Sequence, residues 1–232
     1  MIALIPHGSP SGPHGFRPVG FCFYGEAMTH VCIHIDGFNL YHALLRFKDQ
    51  RVKWLDLHAL SHRIIRPKTE VIRLIYYFSA YADWLPGPMR RHEEYVKALT
   101  ALGVTCILGH FKKKSRSCHS CGASWIAHEE KETDVSIGIT LLNDAYKGLY
   151  ERAYLVTRDS DLMPAIKMVR SEFPKKEIVA VAPPLMGHSN DLIAICQEKK
   201  KINPDQIWTC LLPKHVTLPD GTVAATRPTK FD

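Results

Sequence analysis

The most constraining feature of this chain is a short apolar run that ends in two carboxylates. Residues 154–157 read Tyr-Leu-Val-Thr without polar alternation, which is typical of a strand buried on both faces of a parallel sheet. Asp159 and Asp161 follow, and a helical apolar pattern begins at Leu162. Ligands of open parallel sheets bind beyond the carboxyl ends of the strands, so the two acids are candidates to hold a hard cation through oxygen. Alternatively, one of them only caps the helix, which leaves the other unexplained.

Strands alternate with helices along the rest of the chain. Further strands are predicted at 31–35, 71–78, 104–108, 177–182 and 206–211, and helices at 40–47, 54–65, 89–102, 133–147 and 190–199. The helix at 133–147 has a predicted apolar stripe of Val135, Ile139, Leu142 and Tyr146. This alternation predicts a three-layer α/β/α domain with a mainly parallel sheet.

Composition changes at both ends of the chain. Residues 1–30 are rich in Pro and Gly and are predicted to form a disordered extension. Residues 31–211 are predicted to form one domain, and 212–232 a tail on its surface. Within the domain, residues 109–128 are expected to be an irregular, basic excursion.

Charge and cysteine usage narrow the class of protein. The net charge is +7, which together with acids gathered at one turn predicts a polyanionic partner with a metal between them. Seven cysteines are too few for a disulfide scaffold, and we expect a reducing cytoplasm. The chain has no apolar run of 18 or more residues, so no membrane-spanning helix is expected.

Two further carboxylates extend the acidic turn into a set of four. Asp36 ends the first predicted strand, and Asp134 begins the helix at 133–147. Each also has a simpler explanation: Asp36 as a helix cap, and Asp134 as a negative charge that complements the helix dipole. Asp144 lies ten residues beyond Asp134, about 15 Å along a helix, so these two cannot share a metal ion.

The order and spacing of four segments resemble the NYN domain, a branch of the PIN-like nuclease superfamily. These segments are Asp36-Gly37-Phe38-Asn39, Lys131 to Val135, Leu141 to Ala145, and Tyr154 to Leu162. The resemblance spans roughly Val31 to Trp208 and implies a Rossmann-like PIN fold. It also implies a metal-dependent ribonuclease that hydrolyses RNA phosphodiester bonds, most simply as an endoribonuclease.

The resemblance also implies roles for individual residues. It implies that Mg²⁺ or Mn²⁺ is bound by Asp36, Asp134, Asp159 and Asp161. It also implies that Asn39 shapes the site or orients the substrate. Arg158 departs from the family pattern, because many members have Gly there. An arginine at this position would either contact phosphate or partly crowd the site.

Basic and aromatic residues outside this set predict a grip on single-stranded RNA. Lys112, Lys113, Lys114 and Arg116 lie in the excursion, and Arg90, Arg91 and Lys199 to Lys201 mark helix ends. Tyr41, Trp84 and Trp125 are candidates to stack on unpaired bases. Each basic run taken alone is more simply a solvated surface, and only their sum favours nucleic acid. A homo-oligomer stays open.

Cys118 and Cys121 form a C-x-x-C-G sequence without a second such pair. Zinc is one interpretation, with His110, His119 or His128 as further ligands. A reduced thiol pair on the surface is the other. Two alternatives to the ribonuclease also stay open: a non-catalytic RNA-binding or interaction module on the same fold, and a small-molecule phosphohydrolase.

Overall fold

A computed structural model describes residues 28–232, and its centre is a seven-stranded sheet in the order β4-β3-β2-β1-β5-β6-β7. All neighbouring pairs are parallel except β3 and β4. The strands are β1 (Thr29–Asp36), β2 (Glu70–Ala80), β3 (Thr105–Ser117), β4 (Ser124–Lys131), β5 (Arg152–Val156), β6 (Glu177–Ala182) and β7 (Glu198–Lys201). β1 lies between β2 and β5, so the strand order reverses there, which is where open sheets bind ligands.

Helices cover both faces of the sheet and complete the predicted three-layer architecture. They are α1 (Gly37–Leu44), α2 (Leu57–Ile64), α3 (Pro86–Ala101), α4 (Thr133–Tyr146), α5 (Met163–Glu172), α6 (Asn190–Ile195) and α7 (Pro204–Thr209). One apolar core joins the sheet to α1, α2, α3 and α7, and a second joins it to α4, α5 and α6. The mixed α/β fold with a mainly parallel sheet is therefore confirmed.

The amino-terminal edge of the sheet carries a compensated charge network. Arg152 at the start of β5 donates to Glu70 at 3.0 Å and to Glu198 at 3.2 Å, and also pairs with Glu177. Tyr154 Oη donates to Glu70 at 2.7 Å. Charges buried at this edge have partners, as burial of an ion requires.

Three predicted elements differ from the structure. Residues 109–128 are not irregular, because β3 runs on to Ser117 and pairs antiparallel with β4 as a long hairpin. Strand pairing supplies the backbone hydrogen bonds here, and a polar two-sided ribbon shows no apolar alternation that would reveal it. The helix predicted at 190–199 ends at Ile195, and Lys199 to Lys201 belong to edge strand β7. The strand predicted at 206–211 is instead helix α7, which begins with Pro204 and a capping box at Asn203.

The apolar stripe predicted on α4 was wrong. Val135, Ile139 and Tyr146 are each 63% exposed, and the buried stripe is Ile137, Leu141 and Ala145. The helix packs on α5 through Gly138, where an added Cβ would lie 3.2 Å from Ala165 Cβ. This close approach turns the helix by a fraction of a turn from the orientation that hydrophobicity alone predicts.

The ends of the chain were expected to be an extension and a tail. Residues 1–27 lie outside the described residues, and the expectation of disorder falls on them. Residues 212–232 contain a hairpin of β8 (His215–Thr217) and β9 (Val223–Thr226), and Val216, Ala225 and Phe231 are buried in the core. Within the described residues, none of the helices combines the length and apolar character that a bilayer crossing needs.

Candidate active site

Asp36 ends β1 and is 2% exposed. Its Oδ1 accepts from Asn39 N at 3.0 Å, which caps α1. Its Oδ2 accepts from Asn39 Nδ2 at 2.5 Å and from Thr157 Oγ1 at 2.8 Å. Burial raises the pKa of Asp36, and these hydrogen bonds oppose the rise. Asp36 is therefore both the predicted cap and a fixed carboxylate at the sheet edge.

Glycine at position 37 is required by the close packing beside Asp36. A Cβ added there would lie 2.6 Å from the carbonyl oxygen of Phe78 and 2.7 Å from the Tyr77 ring. Any larger residue would displace β2 or α1. The Asp36-Gly37 pair thus lets the carboxylate sit where two strand ends meet.

Asn39 shapes the site by joining two strand ends. Besides its bonds to Asp36, its Oδ1 accepts from Arg158 N at 3.2 Å. The amide thus forms hydrogen bonds through both its nitrogen and its oxygen. The Arg158 side chain is half-buried, and its Nε has no hydrogen-bond partner among residues 28–232. A buried guanidinium donor without a partner is a candidate to receive an anion.

Asp134 lies in the first turn of α4 and faces the same edge. Burial, followed by the negative charges of Asp159 and Asp36, raises the pKa of Asp134 to about 6. Asp161 and Glu130 contribute in the same direction. The structure thus brings Asp134 within electrostatic reach of the other three predicted acids.

Asp159 and Asp161 belong to a tight turn after β5. Asp159 Oδ1 accepts from Asp161 N at 2.9 Å and caps the single 3-10 turn at Ser160–Leu162. Asp159 N donates to Thr157 Oγ1 at 3.0 Å. Asp161 is exposed, and α4 packs against this turn. The cap and the acidic cluster are therefore both present.

The four carboxylates are the candidate oxygen donors for the divalent metal ion that the fold family implies. Among residues 28–232, no three His, Cys, Asp or Glu side chains are arranged to share a single ion as they stand. Asp36 accepts three hydrogen bonds and Asp159 accepts one. Mg²⁺ keeps several waters and uses one or two carboxylates, so the all-oxygen donor set and the unrelieved charge at Asp134 fit such an ion.

The predicted lysine grip lies on the β3–β4 hairpin and is partly neutralised. Glu129 pairs with Lys114 at 3.4 Å and with Lys131 at 3.3 Å, and also with Arg116. These cations lower the pKa of Glu129 to about 2, the Arg116 hydrogen bond contributing most. Lys112 and Lys113 are exposed and form no ion pair within residues 28–232.

Cys118 and Cys121 form the turn of the same hairpin. Gly122 has φ of 71°, and its N–H donates to Cys118 O at 2.9 Å. Backbone N–H groups of Cys121 and Ser120 lower the pKa of Cys118. The histidines do not complete a site: His128 stacks on Trp84 at 3.7 Å, and His110 pairs with Glu132 at 3.2 Å. For the described part of the chain, the zinc interpretation finds two thiols and no third ligand.

Sequence reasoning missed two residues at this edge. Thr157 was assigned only to the strand, although its hydroxyl joins Asp36 to the acidic turn. Glu130 is the second-last residue of β4 and accepts from Thr133 N at 2.9 Å, and its charge raises the pKa of Asp134. A threonine between a buried strand and an Asp was a usable signal, whereas Glu130 depended on an unpredicted strand.

This chain is similar to a curated protein and to a solved structure. A curated relative, 6-hydroxy-3-succinoylpyridine 3-monooxygenase HspA of Pseudomonas putida (strain DSM 28022 / S16), is 28% identical over 78% of this chain and 70% of its own length. A solved protein of unknown function from Vibrio parahaemolyticus RIMD 2210633 superposes with a TM-score of 0.51 at 18% identity. It covers 81% of this chain and 98% of that chain, and it shows the fold alone.

The family profile of the NYN domain matches residues 30–202. This range includes every strand of the seven-stranded sheet except the first residue of β1. The chain therefore belongs to the NYN domain family of the PIN-like nuclease superfamily.

Proposed function

We propose that this protein is a divalent-metal-dependent ribonuclease acting on single-stranded RNA. The observation that carries the proposal is the carboxylate cluster at the point where the strand order reverses. There, burial and four neighbouring acids raise the pKa of Asp134 to about 6. Uncompensated charge of this kind is relieved by a cation. By contrast, the acids at the amino-terminal edge of the sheet are neutralised by pairing with Arg152.

The residues at the carboxyl edge would have separate roles in binding metal and RNA. One or two of Asp134, Asp159 and Asp161 would hold Mg²⁺ or Mn²⁺ through oxygen and water, with Asp36 fixed behind them by Asn39 and Thr157. The bound metal would supply an activated water and neutralise charge on the phosphate. Arg158, whose Nε has no partner among residues 28–232, lies beside the cluster and would orient the phosphate. Lys112 and Lys113 would retain the strand through its backbone.

The test is cleavage of labelled single-stranded RNA with Mn²⁺, with Mg²⁺ and with EDTA. Asp159→Asn preserves the oxygen that caps the turn but removes one charge from the site. We expect a loss on the order of 100-fold in the cleavage rate at unchanged thermal stability. The matched control is Asp220→Asn, because Asp220 caps Thr222 N at 2.9 Å in the β8–β9 turn. Equal rates for both variants would refute the proposal.

A second candidate is chemistry on a small aromatic molecule. The observation that favours it is the curated relative, whose name gives a substituted pyridine as its substrate. Incubation with 6-hydroxy-3-succinoylpyridine in air with NADH as the two-electron reductant, followed by mass spectrometry of the products, tests this candidate. Turnover of the pyridine without cleavage of RNA would favour it over the ribonuclease.

A further inference from the structure

A cavity of about 340 Å³ opens beside the acidic cluster, on the face of the sheet covered by α1 and α3. It begins at Gly37 and Phe38, the two residues directly after Asp36, and continues along Ser79 and Ala80 at the end of β2. Its volume lies in the range of small-molecule sites. None of the predicted metal ligands lines it.

Aromatic side chains dominate the wall of the cavity. Six of them line it: Phe38, Tyr41, Tyr77, Tyr95, Phe111 and Phe231. His92 also lines it, and burial lowers its pKa to about 4, so this ring is neutral at pH 7. The His92 ring lies 3.2 Å from Tyr77 Oη. Such walls favour a flat, polarisable ring over an aliphatic chain.

Three cations share this cavity: Lys53, Arg91 and Lys230. Lys53 Nζ lies 5.3 Å from the ring centroid of Tyr41. Burial and the positive charges of Arg91 and Lys230 lower the pKa of Lys53. The three charges are thus close enough to repel one another.

The cations have no internal partner within residues 28–232. No Asp or Glu lines the cavity, and none of the three cations belongs to an ion pair of the described chain. By contrast, neighbouring Arg51 holds Asp49 through two hydrogen bonds from its Nε and a third, of 2.6 Å, from its Nη2. Repulsion among unpaired cations beside an apolar cavity is relieved by a bound anion.

We propose that this cavity binds a planar aromatic ring that carries an anionic group, with the ring among the tyrosines and phenylalanines and the anion on Lys53, Arg91 and Lys230. Two sources have this chemistry: a nucleotide of RNA, and a free aromatic acid. The inference goes beyond the proposed function, because it requires neither a metal ion nor bond cleavage. It can therefore fail or succeed independently of the ribonuclease.

Calorimetric titration in EDTA, with AMP, UMP and nicotinate as aromatic anions and ribose 5-phosphate as the ring-free control, tests the proposal. Arg91→Ala removes a cation from the cavity, and Lys97→Ala removes one from the exposed side of the same helix. We expect Arg91→Ala to raise the Kd of the bound aromatic anion about tenfold and Lys97→Ala to leave it unchanged. Lys53→Ala should act in the same direction as Arg91→Ala.

Each outcome decides the matter. Binding of the nucleotides alone assigns the cavity to RNA, binding of nicotinate alone assigns it to an aromatic acid, and binding of both confirms the shared chemistry. Ribose 5-phosphate should bind about tenfold more weakly than whichever aromatic anion binds, because it lacks the ring. Absence of binding by all three aromatic anions overturns the proposal. So does equal affinity for ribose 5-phosphate and for the aromatic anion that binds, or equal weakening by Lys97→Ala and Arg91→Ala.

Discussion

Thr157 Oγ1 donates a 2.8 Å hydrogen bond to Asp36 Oδ2 and so joins two strand ends that are 121 residues apart in the chain. The same hydroxyl accepts from Asp159 N at 3.0 Å. One side chain therefore sets the position of the buried carboxylate relative to the acidic turn. The bond between Thr157 and Asp36 is buried, because Asp36 is 2% exposed.

Thr157→Val should lower the free energy of unfolding by about 1–3 kcal/mol, because it leaves a buried carboxylate oxygen with one donor fewer. It should also raise the pKa of Asp36 further, since a hydrogen bond to the ionised form is lost. Urea unfolding at neutral pH measures the change, and Thr157→Ser, which keeps the hydroxyl, is the control. Equal stability of the Val and Ser variants would contradict the assigned contact.

Asp134→Asn should stabilise the metal-free protein at neutral pH. The pKa of Asp134 is about 6 in the folded chain against a usual 3.8, so the folded state retains the proton longer. Wild-type stability attributable to this group therefore falls as pH rises from about 4 to 6. Above pH 6 we expect the variant to be more stable by on the order of 1 kcal/mol, after allowance for solvent screening of this half-buried group.

Urea unfolding at pH 3.5 and at pH 7.5, both in EDTA, measures this difference. Below the unfolded pKa, both states of the wild type are protonated, and the advantage of the variant should vanish. An advantage that is equal at both pH values would show that it comes from packing and not from the charge of Asp134.

Lys113→Ala should weaken RNA binding more than Lys114→Ala does. Lys114 lies 3.4 Å from Glu129, whereas Lys113 is on the other face of β3 and has no ion pair in the described chain. Each phosphate contact to a single strand contributes about 0.7 to the slope of log K against log salt. Fluorescence anisotropy over a salt series should show a smaller slope for Lys113→Ala. An unchanged slope in both variants would make the hairpin a solvated surface.

The alternating pattern of buried strands and helices was enough to predict the layers, the sheet and the four acids at its edge. β6 was predicted at 177–182 with the bounds that the structure has, because its continuous apolar run admits no other placement. The acids could be grouped because carboxyl ends of parallel strands meet at one edge, although their joint hold on a metal stays a prediction.

Other features depended on contacts that a single sequence does not reveal. Pairing of β3 with β4 turned a polar stretch into a hairpin, and the approach of α4 to α5 at Gly138 decided which apolar stripe is buried. The aromatic cavity is assembled from α1, β2, α3 and the last residues of the chain, which lie far apart in sequence. Among the cavity's cations, Arg91 is predicted only as part of a basic run, and nothing in the sequence singles out Lys53 or Lys230.

The most direct measurement of the central claim is the anomalous scattering of Mn²⁺ in a crystal of the wild-type protein. The proposed metal site predicts a Mn²⁺ peak at the carboxyl edge, within about 2.5 Å of an oxygen of at least one of Asp134, Asp159 and Asp161, with water completing its coordination. A crystal soaked at saturating Mn²⁺ that shows no peak at this edge, or shows one only elsewhere, would contradict a metal site there.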